Sequence, residues 1–427
     1  MNTNYFKKER GRLWLLAIVS PWCVASYAQS LPQLISEALL NHPAIAAQRA
    51  QAQAAQIGIE TAKWQYFPTP SVSTERAGAN SGDPFYSGDK NVTTVRLQQP
   101  LWTNGRLSAG KVKAEAALAY ETADLNETSL QTSLKVIQTY TDLLSAYWRM
   151  QSTQQSLATH QKLREQVQRR VDLGAQADAD LQMAQTRLDS VKSDLSVTRA
   201  RVESSVLRLK QLVGASVDLD TLLTQISDPL PLLPSPERAL EEALAINPSI
   251  EKARAQAHIQ DAIVEENRSA LYPDVYLRAE RQYGAFSMIT NNAFQDRFFV
   301  GLSTQLGAGL SVLSNLKAAQ AKSLAAQEEV KSQTLSISDQ VLTDYAQAAR
   351  QMEQIQALQA SLLSQEAVVS SHDRQFLAGR KTWTEVLNAA RELAQAQSQL
   401  TDVRANQIAL SWRLSLYAKG LDTLNQP

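Results

Sequence analysis

The sequence is poor in cysteine, with one residue, Cys23, in a chain of 427. A disulfide framework and a zinc site built from cysteines are therefore both excluded. The chain also lacks an excess of either charge, because 42 basic residues balance 42 acidic ones. Nothing in this balance indicates nucleic-acid binding. After the N-terminal region, no run reaches the roughly 18 apolar residues that a transmembrane helix needs.

The first residues have the pattern of a secretory signal peptide. A basic segment precedes an apolar run, Leu13–Val24, which is too short to span a bilayer. Ser26 and Ala28 then supply small residues at the −3 and −1 positions of a cleavage site. We predict a signal peptide at residues 1–28 and an exported chain; the alternative is a short membrane anchor. The basic residues are Lys7, Lys8, Arg10 and Arg12.

Proline and glycine are nearly absent from two long stretches. No proline occurs from Leu101 to Asp228 or from Asp274 to Gln426, and the middle of each stretch contains a single glycine, Gly174 or Gly379. Without helix breakers, each side of these glycines predicts one continuous helix. The segment from residue 111 to residue 172 alone would be about 93 Å long at 1.5 Å per residue. Helices of this length are typical of coiled coils and helical barrels.

The apolar periodicity of these stretches agrees with long helices packed side by side. Leucine or valine recurs every seven residues in one stretch, and the same spacing returns near the C-terminus. Sustained heptads predict helices that pack lengthwise against neighbours. The first series is Leu181, Leu188, Leu195, Val202 and Leu209, and the second is Val386, Leu393 and Leu400.

The sequence contains an internal repeat at a constant offset of 205 residues. Pro43 matches Pro248, Tyr140 matches Tyr345, and Gly174 matches Gly379. An offset that stays constant from Pro43 to Gly174 indicates a tandem duplication. We therefore divide the mature chain into repeats at residues 29–228 and 229–427, joined by a proline-rich linker at residues 228–236.

Each repeat contains one non-helical segment at the equivalent place. We predict strands at about residues 70–78 and 91–100 in the first repeat, and at about 274–284 and 296–306 in the second. In the last strand Phe298, Val300 and Leu302 alternate with polar or small residues. This length and alternation are typical of outer-membrane barrel strands. Soluble hairpins that cap helix bundles are the alternative.

Four strands cannot close a transmembrane barrel, because bacterial barrels begin at about eight strands. An open strand edge in lipid leaves backbone groups without hydrogen bonds, at several kcal/mol for each group. Membrane strands in this chain therefore require several copies to combine their sheets. The long helices would then continue from the barrel as a tube.

The layout and two motifs resemble the TolC family of outer-membrane efflux and type I secretion channels. The motifs are Gln99–Arg106 at a strand-to-helix junction and Gly379–Ala389 at the second turn. The resemblance covers almost the whole mature chain. It implies a mainly α protein with a small β part, in which three chains form a twelve-stranded barrel and a tunnel of twelve helices. The segments Leu31–Leu40 and Ala62–Pro68 resemble the subset that exports adhesins.

The resemblance also implies partners and positions. The chain would be a homotrimer in outer-membrane lipid, with helices in the periplasm, and would dock a periplasmic adaptor and an inner-membrane transporter of ABC type. Glu385 and Asn388 take the positions of the aperture ring, and Asp180, Phe376 and Lys381 those of the gate contacts. The expected docking residues flank the two turns: Gly174, Ala175, Gln176, Ala177, Asp178, Gly379, Arg380, Thr382 and Trp383.

No motif predicts catalysis, a cofactor or a metal site. The four histidines are scattered along the chain, without carboxylates at metal-ligand spacing, and no phosphate-binding glycine loop is present. The sequence therefore predicts a channel subunit and not an enzyme. A periplasmic coiled-coil adaptor is the alternative, although it gives no reason for two strand pairs at equivalent positions.

Overall fold

The computed structural model describes residues 30–78, 83–214, 217–224, 226–287, 294–304 and 308–421. The predicted signal peptide and parts of the two predicted hairpin loops lie outside these residues. The described chain is mainly helical, with four strands, as predicted. None of its described helices is both long enough and apolar enough to cross a membrane.

The two repeats contain the same succession of two helices, two strands and two long helices, and the first repeat ends with an additional short helix. Its elements are α1 (Leu31–Asn41), α2 (Pro43–Trp64), β1 (Thr69–Arg76), β2 (Asn91–Trp102), α3 (Arg106–Asp172), α4 (Asp178–Val213) and α5 (Leu219–Thr224). The second repeat has α6 (Pro236–Ile246), α7 (Pro248–Ser269), β3 (Asp274–Tyr283), β4 (Phe294–Ser303), α8 (Ser311–Leu377) and α9 (Trp383–Lys419). One-turn 3-10 helices occur at Pro84–Tyr86 and Ala308–Leu310.

The breaker-free stretches form the predicted helices. α3 and α8 have 67 residues each, which corresponds to about 100 Å at 1.5 Å per residue. Proline occupies the first position of α2, α6 and α7, where its missing N–H group costs no hydrogen bond. In the heptad of α4, Leu188, Leu195, Val202 and Leu209 are buried.

The fourth strand is shorter at its C-terminal end than the sequence suggested. β4 ends at Ser303, Thr304 is outside any strand, and residues 305–307 lie outside the described part of the chain. Ser303 pairs with Asp274, which is the first residue of β3. β4 therefore ends where its partner begins, immediately after Pro273. The alternating pattern in the sequence cannot reveal where a partner strand stops.

The helices form one layer that continues the order of the strands. Beside the sheet the neighbours follow the order α2, α3, α7, α8, and in the distant half they follow α4, α3, α9, α8. α1 packs on α3 and α4, while α6 packs on α8 and α9. The helices beside the sheet therefore have the same order as the strands to which they are joined: α2 to β1, α3 to β2, α7 to β3 and α8 to β4. α2/α4 and α8 are the two edges of the layer.

The main hydrophobic core lies at mid-length, where the short helices cover the long ones. Its fully buried members include Leu34, Tyr140, Leu144 and Leu209. The two repeat-related tyrosines hold the chain that joins the repeats: the Tyr140 hydroxyl accepts from Ser227 N at 3.1 Å, and the Tyr345 hydroxyl donates to Leu233 O at 2.8 Å. Burial raises the pKa of Tyr140. This core and the joining segment hold the long helices in register at mid-length, between the sheet and the opposite end of the helical layer.

Candidate functional site

The sheet is antiparallel, in the order β1-β2-β3-β4, and its two faces differ in polarity. On one face of β4, Phe298 is 77%, Val300 75% and Leu302 67% exposed. Such exposure of large apolar side chains indicates a surface that faces lipid. The same face also carries Pro70, Val72, Val95, Leu97, Val275, Leu277 and Ala279. The opposite face is mostly polar, so the predicted alternation is confirmed.

Aromatic side chains flank the sheet at both ends. At the helical end, Trp64 is 68% exposed and its ring centroid lies 5.2 Å from that of Phe67, while Trp102 ends β2. At the other end, Phe85 is 73% exposed and the Tyr86 ring lies 6.0 Å from that of Phe286. Aromatic residues are enriched where membrane strands cross the two lipid–water interfaces.

Both the sheet and the helical layer have open edges in the single chain. Among the residues that the structure describes, β1 pairs only with β2, and β4 only with β3. The α8 edge exposes Leu324, Leu335 and Leu363, and the α4 edge exposes Leu207. Both sheet edges have unpaired backbone groups, and both helical edges have exposed apolar side chains, so the two edges of the chain offer the same kinds of contact. Both edges of the described chain are therefore open to a further strand and helix.

The end of the helical layer opposite the sheet consists of two turns. Gly174, after α3, has φ +71°, and Gly379, after α8, has φ +73°. In the first turn Gly174 N donates to Val171 O and Ala175 N donates to Arg170 O, both at 2.8 Å. The second turn repeats this pattern with Gly379 and Arg380. Both are Schellman turns, which require a residue that tolerates positive φ. The predicted position and conformation of the two glycines are confirmed.

A small core joins the two turns. Phe376 and Trp383 pack with Leu163, Val167, Ala184 and Val386. Arg170 at the end of α3 reaches across to α8: its Nη1 donates to Phe376 O at 2.8 Å, and its guanidinium lies 4.8 Å from the centroid of the Phe376 ring. A single arginine thus links the C-terminal ends of the two longest helices.

The structure corrects the expected exposure of the Trp383 side chain. We expected an exposed aromatic side chain available to a partner, but Trp383 is only 3% exposed. It is the first residue of α9, and its side chain points into the tip core. The position of Trp383 beside a turn in the sequence does not reveal that its side chain points inward. The exposed apolar side chains of the tip are instead Leu173, at 82%, and Leu377, at 62%, which the sequence analysis missed.

The remaining expected docking residues form the outside of the turns. Two of them, Arg380 and Ala177, are exposed, and Gln176 is half-buried. One signal in the sequence could have revealed these two leucines. Leu173 directly precedes Gly174, and Leu377 lies two residues before Gly379. The other exposed members of the expected set are Gly174, Ala175, Asp178, Gly379 and Thr382.

The three expected gate residues lie at the two tip turns, but Asp180 and Lys381 do not form the expected ion pair within one chain. Lys381 Nζ binds Glu385 Oε1 at 2.5 Å, and no ion pair of up to 4.0 Å joins Lys381 to Asp180, both of which are described. Asp180 is half-buried in the first turn of α4. Phe376 is only 1% exposed and contributes packing, as expected from its missing hydroxyl. A link between Asp180 and Lys381 therefore stays a prediction for neighbouring chains.

Glu385 lies at the start of α9, in a network that keeps it charged. Its Oε2 accepts from Thr382 N at 2.9 Å, while its own N–H donates to Thr382 Oγ1 at 3.3 Å, which forms a capping box. The hydrogen bond from Lys381, followed by those from Thr382, lowers the pKa of Glu385 to about 2. Asn388, one turn further along α9, is exposed. The carboxylate of the expected aperture ring is thus ionised but partly neutralised by Lys381.

Comparisons with known proteins give the family. The sequence profile of the family described as "Outer membrane efflux protein" matches residues 34–215 and 239–418. The alkaline protease secretion protein AprF of Pseudomonas aeruginosa is 24% identical over 343 residues, which cover 78% of this chain and 70% of AprF. The outer membrane protein TolC of Escherichia coli K12 is 22% identical over 426 residues, covering 94% of this chain and 84% of TolC.

Solved structures share the fold. The outer membrane protein VceC of Vibrio cholerae superposes with a TM-score of 0.76 at 20% identity, covering 91% of this chain and 96% of VceC. The CmeC outer membrane channel of Campylobacter jejuni gives a TM-score of 0.76 at 16% identity, with 92% and 85% covered. The family match spans both repeats and most of the chain. This chain therefore belongs to the outer membrane efflux protein family.

Proposed function

We propose that three copies of this chain close their sheets and helical layers into one export channel through the outer membrane. The observation that carries the proposal is the coincidence of open edges: β1 and β4 lack outer partners, and they end the sheet on the same sides as α2/α4 and α8 end the helical layer. Three four-stranded sheets would give twelve strands, which satisfies every edge hydrogen bond in the lipid.

The tip of the helical layer, with its turns at Gly174 and Gly379, is the proposed contact for a periplasmic adaptor. The adaptor would connect the channel to an inner-membrane transporter of ABC type. Leu173 and Leu377 offer apolar side chains to such a partner, and Arg380 and Ala177 lie beside them. Exposed leucines on a turn that a buried core holds from behind suit a docking surface, because the backbone that carries them is already ordered and loses little conformational freedom on binding. Leu173→Asp and Ala177→Asp should abolish export while the trimer persists.

The cargo proposed for this channel is protein, as in type I secretion. The relative AprF is named as an alkaline protease secretion protein, while other relatives are named for pyoverdine export or for cobalt, zinc and cadmium resistance. Efflux of small molecules is therefore the second candidate. The earlier alternative, an adaptor without membrane strands, is not favoured, because the family is one of outer-membrane proteins.

The gate proposed for the tip uses Asp180 of one chain and Lys381 of the next. In each chain Lys381 already binds Glu385, so the gate contact would share a cation that is partly neutralised. An exposed pair of this kind contributes about 0–1 kcal/mol, and three copies give at most about 3 kcal/mol. Asp180→Ala channels should conduct more than wild-type channels in planar bilayers, and unchanged conductance would remove the gate role.

Assembly is tested by the mass of the detergent-extracted protein together with labelling of the loops between β1 and β2 and between β3 and β4. We expect a trimer, and we expect a membrane-impermeant reagent to label engineered cysteines at Ser87 and Ser287 in intact cells. The mature chain is predicted to contain no other cysteine, since Cys23 lies in the signal peptide. A monomer in mild detergent, or loops protected in intact cells and labelled after lysis, would contradict the proposal.

A further inference from the structure

The polar face of the sheet carries one row of charges that the channel function alone does not explain. Arg96, Glu280 and Arg297 are register partners on β2, β3 and β4, so their side chains lie side by side at one height. Arg96 Nε donates to Glu280 Oε1 at 2.6 Å, and Arg278 Nε lies 3.1 Å from the same oxygen. Two arginines therefore contact one carboxylate, and a third, Arg297, lies beside it in the strand register.

The charges in this cluster do not balance. The Glu280 side chain is only 12% exposed, whereas that of Arg96 is 43% exposed and Arg297 is also exposed. Among the described residues, no carboxylate lies within 4.0 Å of Arg297; its guanidinium contacts the Gln295 side chain. The cluster itself therefore has an excess of two positive charges in each chain. The next carboxylate on this face, Glu75, lies further along β1, opposite Val92.

The opposite face of the same strands shows a different arrangement. There Arg281 and Asp296 pair one to one, with two hydrogen bonds of 2.6 and 2.7 Å. A neutral pair is the economical way to place an arginine beside lipid. That face carries one further arginine, Arg76 on β1, whereas the polar face, which would line the lumen of a closed barrel, carries three arginines beside one carboxylate. The clustering of arginines is therefore specific to the polar face.

Aromatic rings hold part of the cluster in place. The Arg278 guanidinium lies 4.5 Å from the centroid of the Phe299 ring and 5.9 Å from that of Tyr276. Tyr276 lies across Gly301, where an added Cβ would come within 2.4 Å of the tyrosine ring. Glycine at this position thus makes room for the tyrosine. The arrangement fixes the direction of Arg278 and leaves Arg96 and Arg297 free to contact solutes.

We propose that Arg96, Arg278 and Arg297 of three chains form a cationic ring in the barrel lumen that attracts carboxylate-bearing cargo as it leaves the channel. The inference rests on the trimeric channel proposed above. Guanidinium groups bind carboxylates through paired, charge-assisted hydrogen bonds, and six excess charges in a low-dielectric tube produce a field of several kT. The ring is separated from Glu385 by the length of the long helices, about 100 Å, so the two ends of the channel have opposite charge.

The test is block of purified channels in planar bilayers by poly-L-glutamate added on the barrel side. We expect block of the wild type, relieved by raising the salt concentration because exposed charges are screened. Arg297→Gln should raise the half-blocking concentration about threefold or more, and the Arg96→Gln/Arg297→Gln double variant further. Arg297 has no carboxylate partner among the described residues, so its replacement leaves no buried charge unpaired.

Arg76→Gln is the matched control, because Arg76 is an exposed residue of β1 on the opposite face of the sheet. Its half-blocking concentration should equal that of the wild type, and poly-L-lysine should block none of these channels from the barrel side. Equal block of the wild type and the double variant would overturn the cationic ring and leave the channel intact. Absence of any wild-type conductance would instead overturn the trimeric channel, and the ring with it.

Discussion

The two tip turns share one backbone conformation and differ in almost every side chain. Gly174 and Gly379 occupy equivalent positions of the repeats and have nearly the same positive φ. The next residues have diverged. Ala177 precedes α4 as its N-cap residue and supplies no side-chain hydrogen bond, whereas its equivalent, Thr382, caps α9 with its side chain. Exposed Asp178 corresponds to buried Trp383, and Asp180 to Glu385.

This difference shows how a duplicated turn can take two roles. The Schellman geometry depends on glycine and backbone hydrogen bonds, so it survives changes at the neighbouring positions. In the second turn the core residue, the cap and the Lys381–Glu385 pair fix the chain. In the first turn the residues equivalent to the core residue and the cap are the exposed Asp178 and the small Ala177. We therefore expect the second turn to be the rigid support, and the first turn to tolerate substitution without loss of stability.

The largest expected effect on stability concerns Trp383 and its repeat equivalent, Asp178. Trp383→Ala should destabilise the second turn by about 3–5 kcal/mol, because it removes a buried aromatic side chain from the tip core. Asp178→Ala should cost less than about 1 kcal/mol, since it removes only an exposed charge at a helix N-terminus. Hydrogen exchange of the turn amides measures both. Similar exchange in the two variants would contradict the difference between the turns.

An intermediate effect is expected at Arg170 and its repeat equivalent, Gln375. Arg170→Ala removes a hydrogen bond to Phe376 O and the contact with the Phe376 ring, and should cost about 1–3 kcal/mol. Gln375 only contacts Ser371 within its own helix, so Gln375→Ala should change stability by less than about 0.5 kcal/mol. Protease cleavage at the second turn should accelerate in the first variant alone. Equal cleavage rates would show that Arg170 does not join the turns.

The smallest effect is expected from the charge of Glu385. Its folded-state pKa is lowered, so any stability that its charge contributes is present above the unfolded-state value, about 4.3, and is lost as pH falls towards 2. Cation selectivity in planar bilayers should therefore change little between pH 7 and pH 4. Lys381→Gln removes the main cause of the low pKa, so this variant should be more cation-selective at pH 7 and lose selectivity by pH 4. A wild-type channel that loses selectivity at pH 4 would contradict the observed network.

The sequence predicted those features that depend on local chemistry. The absence of proline and glycine located α3, α4, α8 and α9, and the two isolated glycines located the turns. The Lys381–Glu385 pair has the i,i+4 spacing of a helical ion pair and was visible in the sequence, although we assigned Lys381 to Asp180. The contact of Arg170 with Phe376 joins residues 206 positions apart, and no local pattern predicts it.

The direction of side chains at element ends was the other limit of sequence reasoning. Trp383 stands beside a turn, where exposure is common, and it points inward because the tip core lies beneath the first turn of α9. The strand pairing that places Arg96, Glu280 and Arg297 in one row also depends on register between repeats. Alternation predicts which face a residue occupies, but not which residue lies opposite.

The central claim is that three chains close at the edges β1 and β4, and engineered disulfides test it most directly. Ser73→Cys in β1 is combined, in turn, with a cysteine at Gln295, Phe299 or Ser303 on the same face of β4. At the register that pairs these strands, oxidation in outer membranes should give covalent species that stop at three chains on a denaturing gel. A ladder that continues beyond three chains, or monomers at every register, would contradict the account.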